Sequence, residues 1–122
     1  MKLITLYAAF LLLAGIALLF APEEMGALIH QAATGPALFV QLLGAAFIGF
    51  AASNWITRHA PVGGIYGRAV VVGNLTFSAV GALALLGSFP AAPRWGFWML
   101  LAILAAGSVL HSVLLFRGPP DR

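Results

Sequence analysis

Four apolar runs, Leu3 to Ala21, Pro36 to Thr57, Tyr66 to Ser88 and Trp95 to Phe116, fill most of a 122-residue chain, and none contains an acidic residue. At about 1.5 Å of rise per residue, a run of about 20 crosses a hydrocarbon core of about 30 Å. A hydrophobic content of 62% with 7% charge belongs in lipid rather than water. The pattern predicts an all-α chain: an antiparallel up-and-down bundle of four transmembrane helices in one domain covering residues 1–122. Short connectors between runs two, three and four make those neighbours antiparallel.

The first run also resembles a signal peptide, with Lys2 ahead of it and small residues at Ala17 and Ala21. It is longer than the usual apolar core of such a peptide, about 7–15 residues, and is expected to be the first span. Lysine and arginine then set the orientation. Lys2, Arg58, Arg68, Arg117 and Arg122 fall on one side, and Arg94 with Glu23 and Glu24 on the other. Both termini are therefore expected in the cytoplasm. A net charge of +3 spread over connectors forms no basic stripe, so no nucleic-acid partner is expected. The absence of cysteine excludes disulfides, thiol catalysis and Cys-ligated metal centres.

Pro22-Glu23-Glu24 is a helix-start pattern, because acids complement the positive end of the helix dipole. Met25, Leu28, Ile29 and Ala32 then form one apolar stripe. A short amphipathic helix lying in the interface is expected there, ended by Thr34-Gly35-Pro36. Ala45, Gly49 and Ser53 make a small-xxx-small stripe on span 2, and spans 3 and 4 carry further small residues, Ser78 and Gly107 among them. Such stripes let backbones approach closely, within one chain or between copies. Trp95 and Trp98 on one side, with Trp55 and Tyr66 on the other, fit an aromatic belt.

Counting from the cytoplasmic ends places Asn54 about 6 Å deep, Asn74 and His111 about 9 Å deep, and Thr5 and Tyr7 about 4–8 Å deep. Each span thus carries a polar side chain near one level, with Ser53 and Ser112 beside two of them. Two readings stand. The layer stitches helices together by bonds of about 0.6–2 kcal/mol each, or it is a pocket of Tyr7, Asn54, Asn74, His111 and Ser112 for a lipid or quinone head group. An enzyme with His111 as base is a further alternative. No cofactor is expected: a haem on His111 would need a second axial ligand, and the candidate, His59, lies past the end of span 2.

Arg58, His59 and Arg68 flank Gly63-Gly64, and arginines with exposed glycine N–H groups can hold a lipid phosphate. The lysine and hydroxyl of a P-loop are missing. No carboxylate lies inside a span, which disfavours proton-coupled carriers and di-metal enzymes.

The segment Gly49 to Trp55 (GFAASNW), with Gly63-Gly64-Ile65-Tyr66-Gly67-Arg68 and Gly73-Asn74, resembles a set of small four-helix bacterial membrane proteins and, more loosely, the DoxX-like group. The likeness covers spans 2 and 3. It implies a bacterial inner (plasma) membrane and one local arrangement of Asn54, Trp55, Tyr66, Arg68 and Asn74, and carries no activity with it. The function expected from all of this is a non-enzymatic membrane component, oligomerising or accessory to a larger complex. The alternative is a lipid- or quinone-binding protein or small transporter. Expected partners are membrane lipids and either copies of itself or a larger membrane complex.

Overall fold

A computed structural model describes residues 2–29, 37–59, 64–87, 89 and 91–117. Among them the chain is all-α: α1 (Lys2–Phe20), α2 (Pro22–Ile29), α3 (Ala37–Thr57), α4 (Gly64–Gly87) and α5 (Trp95–Arg117). Four of these are long and apolar enough to cross a membrane. Pro36, Ser88, Ala32 and the Thr34-Gly35-Pro36 stop lie outside the described residues, as do Gly63 and Arg122, and so does the side chain of Tyr66.

The helix ends follow from backbone chemistry. Pro22 has no N–H to continue the ladder of α1, so the chain bends at Ala21. The Ala21 N–H still donates to Ala17 O (2.9 Å), and the Ala21 carbonyl accepts the Met25 N–H (3.0 Å), starting α2. At the start of α5, the Arg94 carbonyl accepts the N–H groups of Phe97 (3.1 Å) and Trp98 (3.4 Å).

The long helices pack as two close pairs, α1 with α3 and α4 with α5. In the first pair the backbones touch. A Cβ added at Gly15 would lie 2.8 Å from Gly44 O, and one added at Gly44 would lie 2.8 Å from Gly15 O. Gln41 Nε2 reaches across this seam and donates to Leu19 O (3.3 Å), satisfying a carbonyl in the last turn of α1. The two pairs meet through larger side chains. Phe77 of α4 stacks on Phe50 of α3 (centroids 4.6 Å apart) and meets Phe47 edge-on (5.8 Å). Leu11, Leu18, Leu100 and Leu104 complete this core.

The short helix does more than lie in an interface. Met25, Leu28 and Ile29 are half-buried, with Glu23 and Glu24 exposed, and α2 closes one end of the bundle against α3 and α5. Leu28 sits so near α5 that a Cβ on Gly96 would come within 2.7 Å of Leu28 O. Arg94 Nη1 donates to Ala27 O (3.2 Å), tying the connector before α5 to α2.

The small-xxx-small stripe of α3 takes no part in this packing. Ala45 and Gly49 are exposed, and a Cβ on Gly49 would meet nothing within 4 Å. Close contact in α3 runs through Gly44 instead, one residue round the helix.

Candidate functional site

Every long helix contributes to one buried polar cluster near the end that carries the termini. Tyr7, Asn54, Asn74, Ser78 and His111 are all buried. Each amide is anchored on its own helix: Asn54 Nδ2 donates to Phe50 O (2.8 Å) and Asn74 Nδ2 to Val70 O (2.9 Å). These anchors decide which way the amides point. Asn54 Nδ2 also donates to Asn74 Oδ1 (2.7 Å), bridging α3 and α4. The remaining Asn54 oxygen faces His111 Nε2 on α5, 3.1 Å away.

His111 Nδ1 lies 2.8 Å from Gly107 O, the carbonyl one turn earlier. Both atoms facing the imidazole are therefore oxygens, and each contact uses a ring N–H. A neutral ring has one to give, so it serves one of them at a time. Tyr7 closes the cluster from α1. Its ring meets His111 edge-on at 5.4 Å, and its hydroxyl shares a 3.3 Å bond with Ser78 Oγ in which either can donate.

That last bond needs space that only glycine leaves. A Cβ on Gly107 would collide with the Tyr7 hydroxyl and come within 2.5 Å of Ser78 Oγ. Gly107 thus has two tasks: its carbonyl is one of the two acceptors open to the His111 N–H, and its missing side chain lets α1 and α4 meet across the bundle. Among the described residues, every buried side-chain nitrogen and oxygen has a partner. In low dielectric such pairing matters, because an unpaired buried polar atom costs about 1–3 kcal/mol, and among these residues the neutral imidazole is the one place where a lone pair faces an oxygen.

The structure joins Tyr7, Asn54, Asn74 and His111 as one network. Ser112, half-buried beside His111, is not in it. Ser53 turns back on its own helix, donating to Gly49 O (3.0 Å). Ser78, which the sequence reading counted only as a small residue, is fully buried at the cluster's centre. Its spacing from Asn74, one helical turn, was the available signal, since residues i and i+4 share a face.

The basic residues near this end divide. The Arg58 guanidinium lies over the Trp55 ring, 3.9 Å from its centroid. His59 and Arg68 are exposed on α3's end and on α4 respectively. His59 shares a shallow groove with Lys2 and Thr5 of α1, a grouping not read from the sequence. The Gly63 part of the expected phosphate loop is outside the described residues.

Among the described residues, apolar grooves run along the outside of the bundle, and three of them bear on the site. One of about 360 Å³ lies between α1 and α5 beneath α2, lined by Phe10, Ala14, Met25, Trp95 and Met99 among others. A second, of about 620 Å³, continues between the same helices from Phe10 toward Val113. The third, of about 430 Å³, lies on the α1–α3 face. Asn54, Asn74 and His111 line none of the three.

No protein-family model, curated protein or solved structure matches this chain.

Proposed function

We propose that this protein is a non-enzymatic membrane subunit that acts by packing against other membrane helices, either copies of itself or a larger complex, in a bacterial inner membrane with both termini cytoplasmic. The outward stripe of α3 carries this reading. Elsewhere the chain uses glycine where helices touch, as at Gly15, Gly44 and Gly107. Gly49 and Ala45 are exposed, and the flat face they make is the kind against which a partner helix packs in lipid. Ser53 returns its hydroxyl to Gly49 O, which leaves that face dry. Of the polar cluster, Tyr7 borders the second groove while Asn54, Asn74 and His111 border none of the three, which supports the same reading. Both ring nitrogens of His111 face oxygens inside the bundle, so no lone pair is directed at a groove as a base would require.

Gly49→Ile tests the proposal, because its Cβ has open space and the bundle itself should be undisturbed. The wild type is expected to run as an oligomer or a complex by native mass spectrometry after mild extraction, and the variant as a monomer with unchanged helicity. A wild type that is monomeric under every mild condition, or an isoleucine variant that associates as well as the wild type, overturns it.

A second reading, a lipid- or quinone-binding protein or small transporter, draws support from the α1–α5 groove beneath α2, whose apolar lining suits a hydrocarbon or isoprenoid chain.

A further inference from the structure

The α1–α3 face, away from the polar cluster, combines three observations. A slot of about 430 Å³ is floored by Ala8, Ala9, Ala51 and Ala52, which leave room that larger side chains would fill, and Trp55 forms one wall. The slot runs from Thr5 to Leu12 on α1, about 10 Å at the helical rise, within the reach of one leaflet's acyl chain. At its open end it shares Thr5 and Ala9 with the groove that holds Lys2 and His59.

Among the described residues the formal charge at this end has one sign, carried by Lys2 and the arginines. Lys2 and His59 line the mouth, and the Arg58 guanidinium is held over the Trp55 wall. Glu23 and Glu24, the acidic residues of the described part of the chain, both belong to α2 at the opposite end. Among the described residues a zwitterionic head group would find Lys2 and Arg58 for its phosphate and no carboxylate for its ammonium. A head group with net negative charge is favoured by that distribution.

We propose that this face is a binding site for one anionic phospholipid, with its phosphate between Lys2 and His59 and an acyl chain in the alanine-floored slot beside Trp55. The small residues supply the concavity, since exposed Ala9 and Ala52 over buried Ala8 and Ala51, flanked by Leu12, Ile48 and Trp55, make a trough rather than a ridge. The site is about a quarter turn round α3 from the Ala45–Gly49 stripe at 100° per residue, so the lipid and a helix partner can be bound together.

Trp55 reports on occupancy once Trp95 and Trp98 are replaced by phenylalanine. The Trp95→Phe/Trp98→Phe protein is placed in phosphatidylcholine bilayers doped with acyl-brominated phosphatidylglycerol or, separately, acyl-brominated phosphatidylcholine. Half-maximal quenching of Trp55 is expected at roughly tenfold less brominated phosphatidylglycerol than phosphatidylcholine. Lys2→Ala/His59→Ala should bring the two curves together, and Arg94→Ala, at the other end, should leave them apart. Ala9→Phe, at an exposed position on the slot floor, should weaken quenching by phosphatidylglycerol while circular dichroism shows an intact bundle. Coincident curves for the wild-type site, or a preference that survives Lys2→Ala/His59→Ala, overturn the proposal.

Discussion

Helix α3 is held on its two sides by different physics. Toward α1 it offers Gly44, and the seam is backbone against backbone, with no space for a single added carbon. Toward α4 and α5 it offers Asn54 and the rings of Phe47 and Phe50, and that seam is held by hydrogen bonds of the Asn54 amide and by aromatic contacts with Phe77. Lipid tails are as apolar as leucine, so hydrophobicity does not drive helices together within a bilayer. What remains is close van der Waals contact and hydrogen bonding, and this chain uses one on each side. The first kind of seam fails when something is added to it. The second fails when something is taken away.

Gly44→Leu attacks the first seam and carries the largest expected effect. The new side chain meets Gly15 O and the α1 backbone, and overpacking of this kind should cost about 3 kcal/mol in detergent-unfolding measurements. The same leucine at Gly49, where a Cβ meets nothing, should leave the monomeric bundle within about 0.5 kcal/mol of wild type. Equal losses at the two positions would mean that the α1–α3 backbones are not in contact.

Gly107→Ala tests where the two principles meet, since it adds bulk inside the polar cluster. The methyl group collides with the Tyr7 hydroxyl, at an expected cost of about 2 kcal/mol. Removing that hydroxyl by Tyr7→Phe should then restore part of the loss in the double variant. A double variant no more stable than Gly107→Ala alone would place the clash elsewhere.

The smallest effect belongs to the amide bridge. Asn54→Leu and Asn74→Leu should each cost about 0.6–2 kcal/mol. Their combination should cost less than the sum, because each single change strands the other amide in low dielectric. Strict additivity would break the contrast between the seams, leaving the aromatic stack alone to hold α3 to α4.

Much of the polar cluster was legible before any coordinates. Depth follows from counting residues along a helix of fixed rise, and that count put Tyr7, Asn54, Asn74 and His111 near one level. Ser78 escaped because it was read for its size, although it sits one turn from Asn74 on the same face. Gly107 escaped for a different reason: its role depends on a tyrosine that reaches it from another helix.

The sequence by itself determined four spans, with ends within about two residues of those found, because apolar length against bilayer thickness leaves little freedom. It also determined the start of α2 at Pro22, through a missing N–H and two acids at a helix N-terminus. Rotation and neighbours were decided by the tertiary structure alone. The four long helices are apolar all round, so no stripe in the sequence marks which side of each faces inward. Only the assembled bundle could choose Gly44 over the Ala45–Gly49–Ser53 stripe as the contact of α3, turn that stripe outward, and pair α1 with α3 more closely than α3 with α4. In lipid those choices rest on fit and on hydrogen bonds between helices, which one helix's sequence does not contain.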